Sequence, residues 1–343
     1  MSREGTLLTP QLARLRTIDT CCCIVDDGSA SLNTSRRHSV KAETLIIVNP
    51  VAGGGRAGQM QHIVARYFAD HHRPMDFAAS KSTEDFRDIA THAIASGYRY
   101  VIALGGDGTF HHLVEAAFGS SVILGFLPAG NGNDIAEGLN IPRDIIEAAR
   151  AFLHGRPRAI DVIRANFPAE SAASLTAIFI GAGGLGLDAE AAQLANTRFR
   201  TWPGVARYIA GALWARRKFQ GIELDAAMDG ESWRGRVLFA AVANAPCYGS
   251  GVRIAPSAKL DDGWLEVTLV QEMPLTRLLE AIPIVLRSGD VRWPELRRYR
   301  CRRVSFKTNR PALVHGDGEI LGDSPVEFEI VPEALRIMLS RKT

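Results

Sequence analysis

The chain has 343 residues, a formal net charge of +3, and 46% hydrophobic and 22% charged residues. That length suggests about two globular domains, and so small a positive charge gives no argument for nucleic acid as a partner. No uninterrupted apolar run is long enough to span a bilayer; the nearest, Ala177 to Leu187, is short and carries four glycines. The N-terminus lacks a signal-peptide pattern, because Arg14, Arg16 and Asp19 break its first apolar residues. The five cysteines, Cys21, Cys22, Cys23, Cys247 and Cys301, have no metal-ligand spacing, so the chain reads as cytosolic and reduced, without a zinc site.

Residues 1–43 hold no sustained period and read as a flexible leader, with the Cys21-Cys22-Cys23 triplet inside it. Leu45 to Val48 then predicts a buried strand, Asn49-Pro50-Val51-Ala52-Gly53-Gly54-Gly55 a glycine turn, and Arg56 to Phe68 a helix. Phe77 to Ser80 is a weak short strand. Thr83 to Ser96 is helical, with Phe86, Ile89, Ala90, Ala93 and Ile94 on one face. Tyr100 to Leu104 is the strongest strand signal and runs into Gly105-Gly106-Asp107-Gly108-Thr109, after which Phe110 to Phe118 reads as helix. Val122 to Leu127 is a further strand, closed by Pro128-Ala129-Gly130-Asn131-Gly132-Asn133-Asp134, and Ile135 to Leu139 and Asp144 to Leu153 are helical. Alternating strands and helices predict an α/β domain over 44–157, a parallel sheet with helices on both faces. Its three glycine turns then share the carboxyl edge of the sheet, where ligands bind.

From Ala159 onward the apolar runs are short and β-rich: Leu175 to Ile180, Val237 to Val242, Leu265 to Val270, Val304 to Phe306, Val326 to Ile330 and Leu335 to Leu339. They predict an antiparallel β-sandwich or distorted barrel over 158–343. Helical insertions fall at Gly204 to Phe219 and Leu275 to Leu286.

Bare amides in a glycine corner at a helix start make an anion site. Neither the Walker A pattern nor the Rossmann fingerprint is present. A glycine corner holding a carboxylate, Asp107, suits a nucleoside triphosphate with Mg2+. Asp261-Asp262-Gly263 and Asp317-Gly318-Glu319 are further carboxylate turns; each alone is a common turn sequence, and their company with GGDGT raises them to candidates.

The ordered motifs NPVAGGG (Asn49 to Gly55), GGDGT (Gly105 to Thr109), PAGNGNDIA (Pro128 to Ala136), PSAKLDDGWLEV (Pro256 to Val267) and HGDGE (His315 to Glu319) resemble the diacylglycerol kinase catalytic-domain family, which includes soluble bacterial lipid kinases and the sphingosine and ceramide kinases. The resemblance spans about Thr44 to Leu339. It implies ATP and Mg2+ as cofactors and an active site in the cleft between an α/β nucleotide domain and a β-sandwich. It further implies that Asn49, Pro50, Ala52, Gly53, Ser80, Gly105, Gly106, Asp107, Gly108, Thr109 and Asn131 line the ATP site, with Asp107 and Asp134 serving the nucleotide-metal network. A structural Mg2+ would be held by the Lys259 carbonyl, the Asp262 side chain and the Trp264 carbonyl. Glu319 matches the family's proton acceptor, with Asp317 beside it. The chain departs from its relatives at Ser80 and Asn131, where they usually carry Thr, and at His111-His112, where they often carry Asn-Glu or His-Glu.

A lipid kinase is thus the expected function, with diacylglycerol or a sphingoid-type lipid as acceptor at a membrane surface. The alternatives are a small-molecule kinase of the NAD kinase or phosphofructokinase group, which shares the GGDG corner, and a non-catalytic lipid or nucleotide binder. The basic stretch Arg292 to Arg310, with Trp293 and Tyr299 interleaved, is the expected membrane contact, and Arg216-Arg217-Lys218 after Trp214 a second basic group. Neither the identity of the lipid nor the oligomeric state has a signature in the sequence.

Overall fold

The computed structural model describes residues 42–168 and 175–341; the leader with Cys21, Cys22 and Cys23 lies outside the described residues. Strands β1 (Thr44–Val48), β2 (Asp76–Ala79), β3 (Tyr100–Gly105) and β4 (Ile123–Pro128) pair in parallel in the order β2-β1-β3-β4. Helices α1 (Arg56–Asp70), α2 (Thr83–Ala95), α3 (Asp107–Ala117), α4 (Asp134–Gly138) and α5 (Ile145–His154) connect and cover them. The expected ends shift by a residue or two, except that α3 starts inside GGDGT, at Asp107. Ser82 caps α2 by accepting the Asp85 N–H, and Asp144 caps α5 by accepting those of Ile146 and Glu147. Ile46, Ile47, Val48, Val101, Ile102 and Leu104 are wholly buried between the helical layers. Each such side chain contributes about 1.5–3 kcal/mol on burial. The chain passes from β1 to β2 on one side and then to β3 on the other. The carboxyl ends of β1 and β3 therefore flank the switch point of the sheet, where a crevice opens.

The rest is antiparallel: β5 (Arg156–Phe167), β6 (Leu175–Phe179), β7 (Ala182–Gly186), β8 (Ile222–Met228), β9 (Glu231–Ala243), β10 (Leu265–Gln271), β11 (Leu296–Cys301), β12 (Arg303–Thr308), β13 (Leu313–Gly316), β14 (Glu319–Asp323) and β15 (Val326–Leu339). Three helices interrupt it, α6 (Leu187–Asn196), α7 (Ala206–Arg216) and α8 (Leu275–Arg287). One strand joins the two halves. The sequence reads β15 as two strands, because Pro332, Glu333 and Ala334 break its alternation. The structure makes it one strand with a bulge between Val331 and Leu335, where Glu333 sits at φ 51°. Beyond the bulge, Arg336 and Ile337 pair in parallel with Ile123 and Leu124 of β4, and Leu335, Ile337 and Leu339 join the core of the first sheet. A second core fills the sandwich, built on Phe179, Leu238, Phe306 and Phe328.

Candidate active site

The three glycine turns meet at the switch point and are tied to one another. Asn49, after β1, donates its Nδ2 to Thr109 Oγ1 at 2.9 Å. Gly53 sits at φ +63°, and a Cβ there would lie 2.0 Å from the Ala129 carbonyl oxygen, so only glycine lets the first turn lean on the third. Arg56 at the start of α1 donates to the Gly130 carbonyl (2.6 Å) and to Asn131 Oδ1 (3.0 Å). Buried Asn133 braces the third turn, accepting the Gly130 N–H and donating to the Gly130 carbonyl, each at 3.0 Å.

These turns form one end of a continuous cavity of about 590 Å³. Of the residues expected at a nucleotide, Asn49, Ala52, Gly53, Gly106, Asp107, Gly108, Thr109, Asn131 and Asp134 line it. Pro50, Gly105 and Ser80 do not. Ser80 is buried at the end of β2 and donates its hydroxyl to the Val48 carbonyl at 3.2 Å; the hydroxyl residue lining the cavity there is Thr83. Gly105 serves close approach, since a Cβ on it would meet Thr109 Oγ1 at 2.5 Å. Another part of the cavity is apolar, walled by Ile209 and Leu213 of α7 and by Leu278, Ile282 and Val285 of α8.

Asp107 does two things. It faces the cavity, and it caps α4 by accepting the N–H groups of Asp134 (3.2 Å) and Ile135 (3.1 Å). Burial raises its pKa and those backbone bonds oppose the rise. Asp134 accepts the Ser250 N–H at 2.6 Å through Oδ2, while its buried Oδ1 has no partner among the described residues. Burial, with the charge of Asp107 next, pushes its pKa up to about 7. An orphaned buried carboxylate oxygen beside a second carboxylate is what a divalent cation on a nucleotide would satisfy, so Asp107 and Asp134 fit Mg2+.

Across the cavity, Asp317 and Glu319 differ. The turn between β13 and β14 is pinned rather than flexible. Asp317 donates its N–H to the Ala182 carbonyl, and its carboxylate accepts the N–H groups of Ile180, Gly181 and Ala182 at 2.8–3.2 Å. His111 Nδ1 lies 3.3 Å from the same carboxylate. The Glu319 carboxylate is exposed and has no hydrogen bond among the described residues; its Oε1 would lie 3.8 Å from a Cβ on Gly108. Glu319 thus reaches across to the first turn of α3.

Sequence reasoning missed three contributors. His111 is buried between Asp317 and Glu115; burial alone would lower its pKa, but hydrogen bonds to those two carboxylates raise it to about 9. The replacement of the relatives' residues by His111-His112 was the available signal, although the anchoring of Asp317 was not. Arg56 is a cation within the glycine turns. Asp188 pairs with His315 at 3.2 Å, both buried on the cavity wall, with the Tyr248 ring stacked on His315.

The Lys259 to Trp264 loop lies apart from the cavity lining. Asp262 accepts the Trp264 N–H at 3.2 Å and is paired with Arg300 at 2.5 Å. Beside it, Asp161 accepts the N–H groups of Gly263 (2.7 Å) and Glu333 (2.9 Å). Burial raises the Asp161 pKa, and the charges of Asp262 and Asp261 add to it. Oxygen donors of this kind suit a hard cation such as Mg2+. But Asp261 is engaged by Arg158 and Asp262 by Arg300, and the three carboxylates do not converge on one point, so the loop as it stands is held by guanidinium groups.

The diacylglycerol kinase catalytic domain family matches residues 43–165, and the YegS C-terminal NAD kinase beta sandwich-like domain matches residues 181–339. A diacylglycerol kinase of Mycobacterium tuberculosis is 29% identical over 313 residues, covering 89% of this chain and 97% of the relative. One of Bacillus subtilis is 24% identical over 302 residues, 87% of this chain and 96% of its own. The crystal structure of a diacylglycerol kinase from Bacillus anthracis shares the fold, with a TM-score of 0.65 at 19% identity over 87% of this chain and 96% of that one. Both domains are thus matched in order and four of the five motifs gather around one cleft: the chain carries a domain that matches the diacylglycerol kinase catalytic-domain family over residues 43–165, followed by a YegS-type β-sandwich domain over residues 181–339.

Proposed function

We propose that this chain is an ATP- and Mg2+-dependent lipid kinase that phosphorylates the hydroxyl of a diacylglycerol-like lipid. The observation that carries this reading is one cavity lined both by the glycine turns with their bare amides and by apolar residues of α7 and α8, with Glu319 on its wall opposite Gly108. The glycine turns, braced by Arg56, supply amides for phosphate oxygens. Asp107 and Asp134 would hold a nucleotide-bound Mg2+, which neutralises phosphate charge. The acyl chains occupy the apolar arm between α7 and α8. The acceptor hydroxyl then stands beside Glu319, whose carboxylate takes its proton as the oxygen bonds to the γ-phosphorus and the bond from that phosphorus to the β,γ-bridging oxygen breaks, releasing ADP. The apolar arm favours a lipid over the small polar acceptors of NAD kinase-like enzymes.

The test is incubation of the pure protein with labelled ATP, Mg2+ and a panel of diacylglycerol, monoacylglycerol, ceramide, sphingosine, phosphatidylglycerol and NAD. Label in diacylglycerol is expected. Label in NAD alone, or ATP hydrolysis with no labelled acceptor, refutes the proposal.

A further inference from the structure

The expected membrane contact, Arg292 to Arg310, has five of its eight cations engaged within the protein, while Arg297, Arg302 and Lys307 have no ion pair among the described residues. Arg292, Arg300 and Arg303 are engaged with carboxylates, and Arg298 and Arg310 donate to the carbonyls of Gly289 and Gln220. The unsatisfied apolar surface lies elsewhere, on α8. This helix contains no buried residue although most of it is aliphatic. One stripe, including Leu278, Ile282 and Val285, lines the cavity. The other, Leu275, Leu279 and Pro283 at i, i+4 and i+8, is exposed and does not line it; Leu275 and Leu279 are 44% and 45% accessible, and Leu286 lies at the edge between the two, lining the cavity while partly exposed. A helix apolar on both sides belongs in a core or a membrane interface, and this one covers a cavity with its first face only.

Helix α7 differs in burying Gly211 and Ala215, and its exposed large apolar residue is Trp214. It too walls the apolar arm, and Arg216, at its end, donates to the Met273 carbonyl just ahead of α8. Trp214 is 41% exposed and lies under two guanidinium groups, Arg198 at 4.1 Å and Arg217 at 4.9 Å from the ring centre. Arg198, Arg217, Lys218 and Arg287 are exposed and have no carboxylate within ion-pair distance among the described residues. Aliphatic side chains, a tryptophan at their margin and unpaired cations are the composition of a helix that lies in an anionic interface.

We propose that the outer faces of α7 and α8 dock on an anionic lipid bilayer. The two helices that wall the apolar arm then rest in the acyl layer, and a lipid passes between bilayer and arm without crossing water. The route of the lipid rests on the kinase reading; the docking surface does not.

The experiment is co-sedimentation of the full chain with vesicles of phosphatidylcholine alone and with added phosphatidylglycerol, for wild type and for a Leu275→Ser, Leu279→Ser double variant. Neither residue lines the cavity. Wild type is expected to bind the anionic vesicles, less so at high salt. The double variant should lose about tenfold or more in partitioning while keeping its melting temperature and its activity on a water-soluble short-chain diacylglycerol. Arg217→Glu with Lys218→Glu should remove the preference for anionic vesicles. Unchanged vesicle binding by the aliphatic double variant, or no binding by wild type, overturns the proposal. So does a wild-type dimer that the double variant dissociates, because a second copy is then the occupant. Lipid phosphorylation on vesicles at the wild-type rate by the double variant keeps the kinase reading and overturns this surface. Variant-sensitive vesicle binding by a chain that phosphorylates no lipid does the reverse.

Discussion

Asp134→Asn tests whether the cavity is strained for the sake of a cation. In the folded protein the Asp134 carboxyl is pushed from the usual 3.8 up to about 7, by burial first and then by Asp107. A raised folded pKa means that the native state binds the proton more tightly than the unfolded chain. The stability that this group carries is therefore fully present below about pH 4 and is lost as pH rises toward about 7. The full span corresponds to at most about 4 kcal/mol. Asp134 is only partly buried, on the wall of an open cavity, and screening there brings the expected penalty to about 1–2 kcal/mol. Asparagine keeps an acceptor for the Ser250 N–H and removes the charge. The variant should melt about 2–4 °C higher than wild type above about pH 7. The advantage should disappear near pH 4. Both proteins are melted across that range without Mg2+ or nucleotide, and again with both. Wild type should gain more from Mg-nucleotide than the variant. A gain independent of pH, or a variant less stable than wild type at neutral pH, refutes the assignment of Asp134 as an uncompensated carboxylate.

The other expectations concern the remaining carboxylates. Glu319→Gln keeps the shape of the side chain and removes the proton acceptor, so kcat should fall by about 10² to 10⁴-fold with nucleotide affinity little changed; near-full kcat in the variant places the base elsewhere. Asp317→Asn replaces an oxygen that accepts backbone N–H groups with a donor, so it should lower stability by about 1–3 kcal/mol together with activity; an unchanged melting temperature contradicts the anchoring role. Asp262→Ala should abolish thermal stabilisation by Mg2+ measured without nucleotide, and an undiminished Mg2+ response removes Asp262 from any metal site.

The first half of the fold was legible because each signal was local. β1, β3 and β4 are short apolar runs that stop at glycine turns, and the helices between them carry their own caps and periodic faces. The second half was read less fully, and β7 shows why. Ala182 to Gly186 looks like a glycine-rich loop, yet it is a central strand. Its glycines answer to partners distant in sequence: a Cβ on Gly183 or Gly184 would lie 2.2 Å from the carbonyl oxygen of His315 or Ala240. Likewise, nothing near Leu335 in the sequence announces that the last strand returns to pair with β4. Ser80 and Pro50 carry the right motif positions, but the direction of a hydroxyl or a loop's carbonyl is decided by tertiary packing.

The same limit governs the candidate site. Sequence can say that Asp107, Asp134, Asp317 and Glu319 belong to glycine turns and carry charge, but their roles divide according to which oxygens are already engaged. Both oxygens of Asp107 hold the start of α4, and those of Asp317 hold three successive amides ahead of and within β7, with His111 beside them. These two carboxylates fix where the turns stand. Among the described residues, Asp134 keeps one oxygen unpartnered and Glu319 keeps both. A group that is to exchange ligands or take a proton during turnover needs that freedom, since an oxygen saturated by rigid backbone N–H groups gains little basicity and cannot rotate toward a new partner. On this argument Asp107 and Asp317 build the cleft, Asp107 adding its fixed carboxylate to the proposed cation site beside Asp134, while Asp134 and Glu319 keep oxygens free to exchange ligands or take a proton.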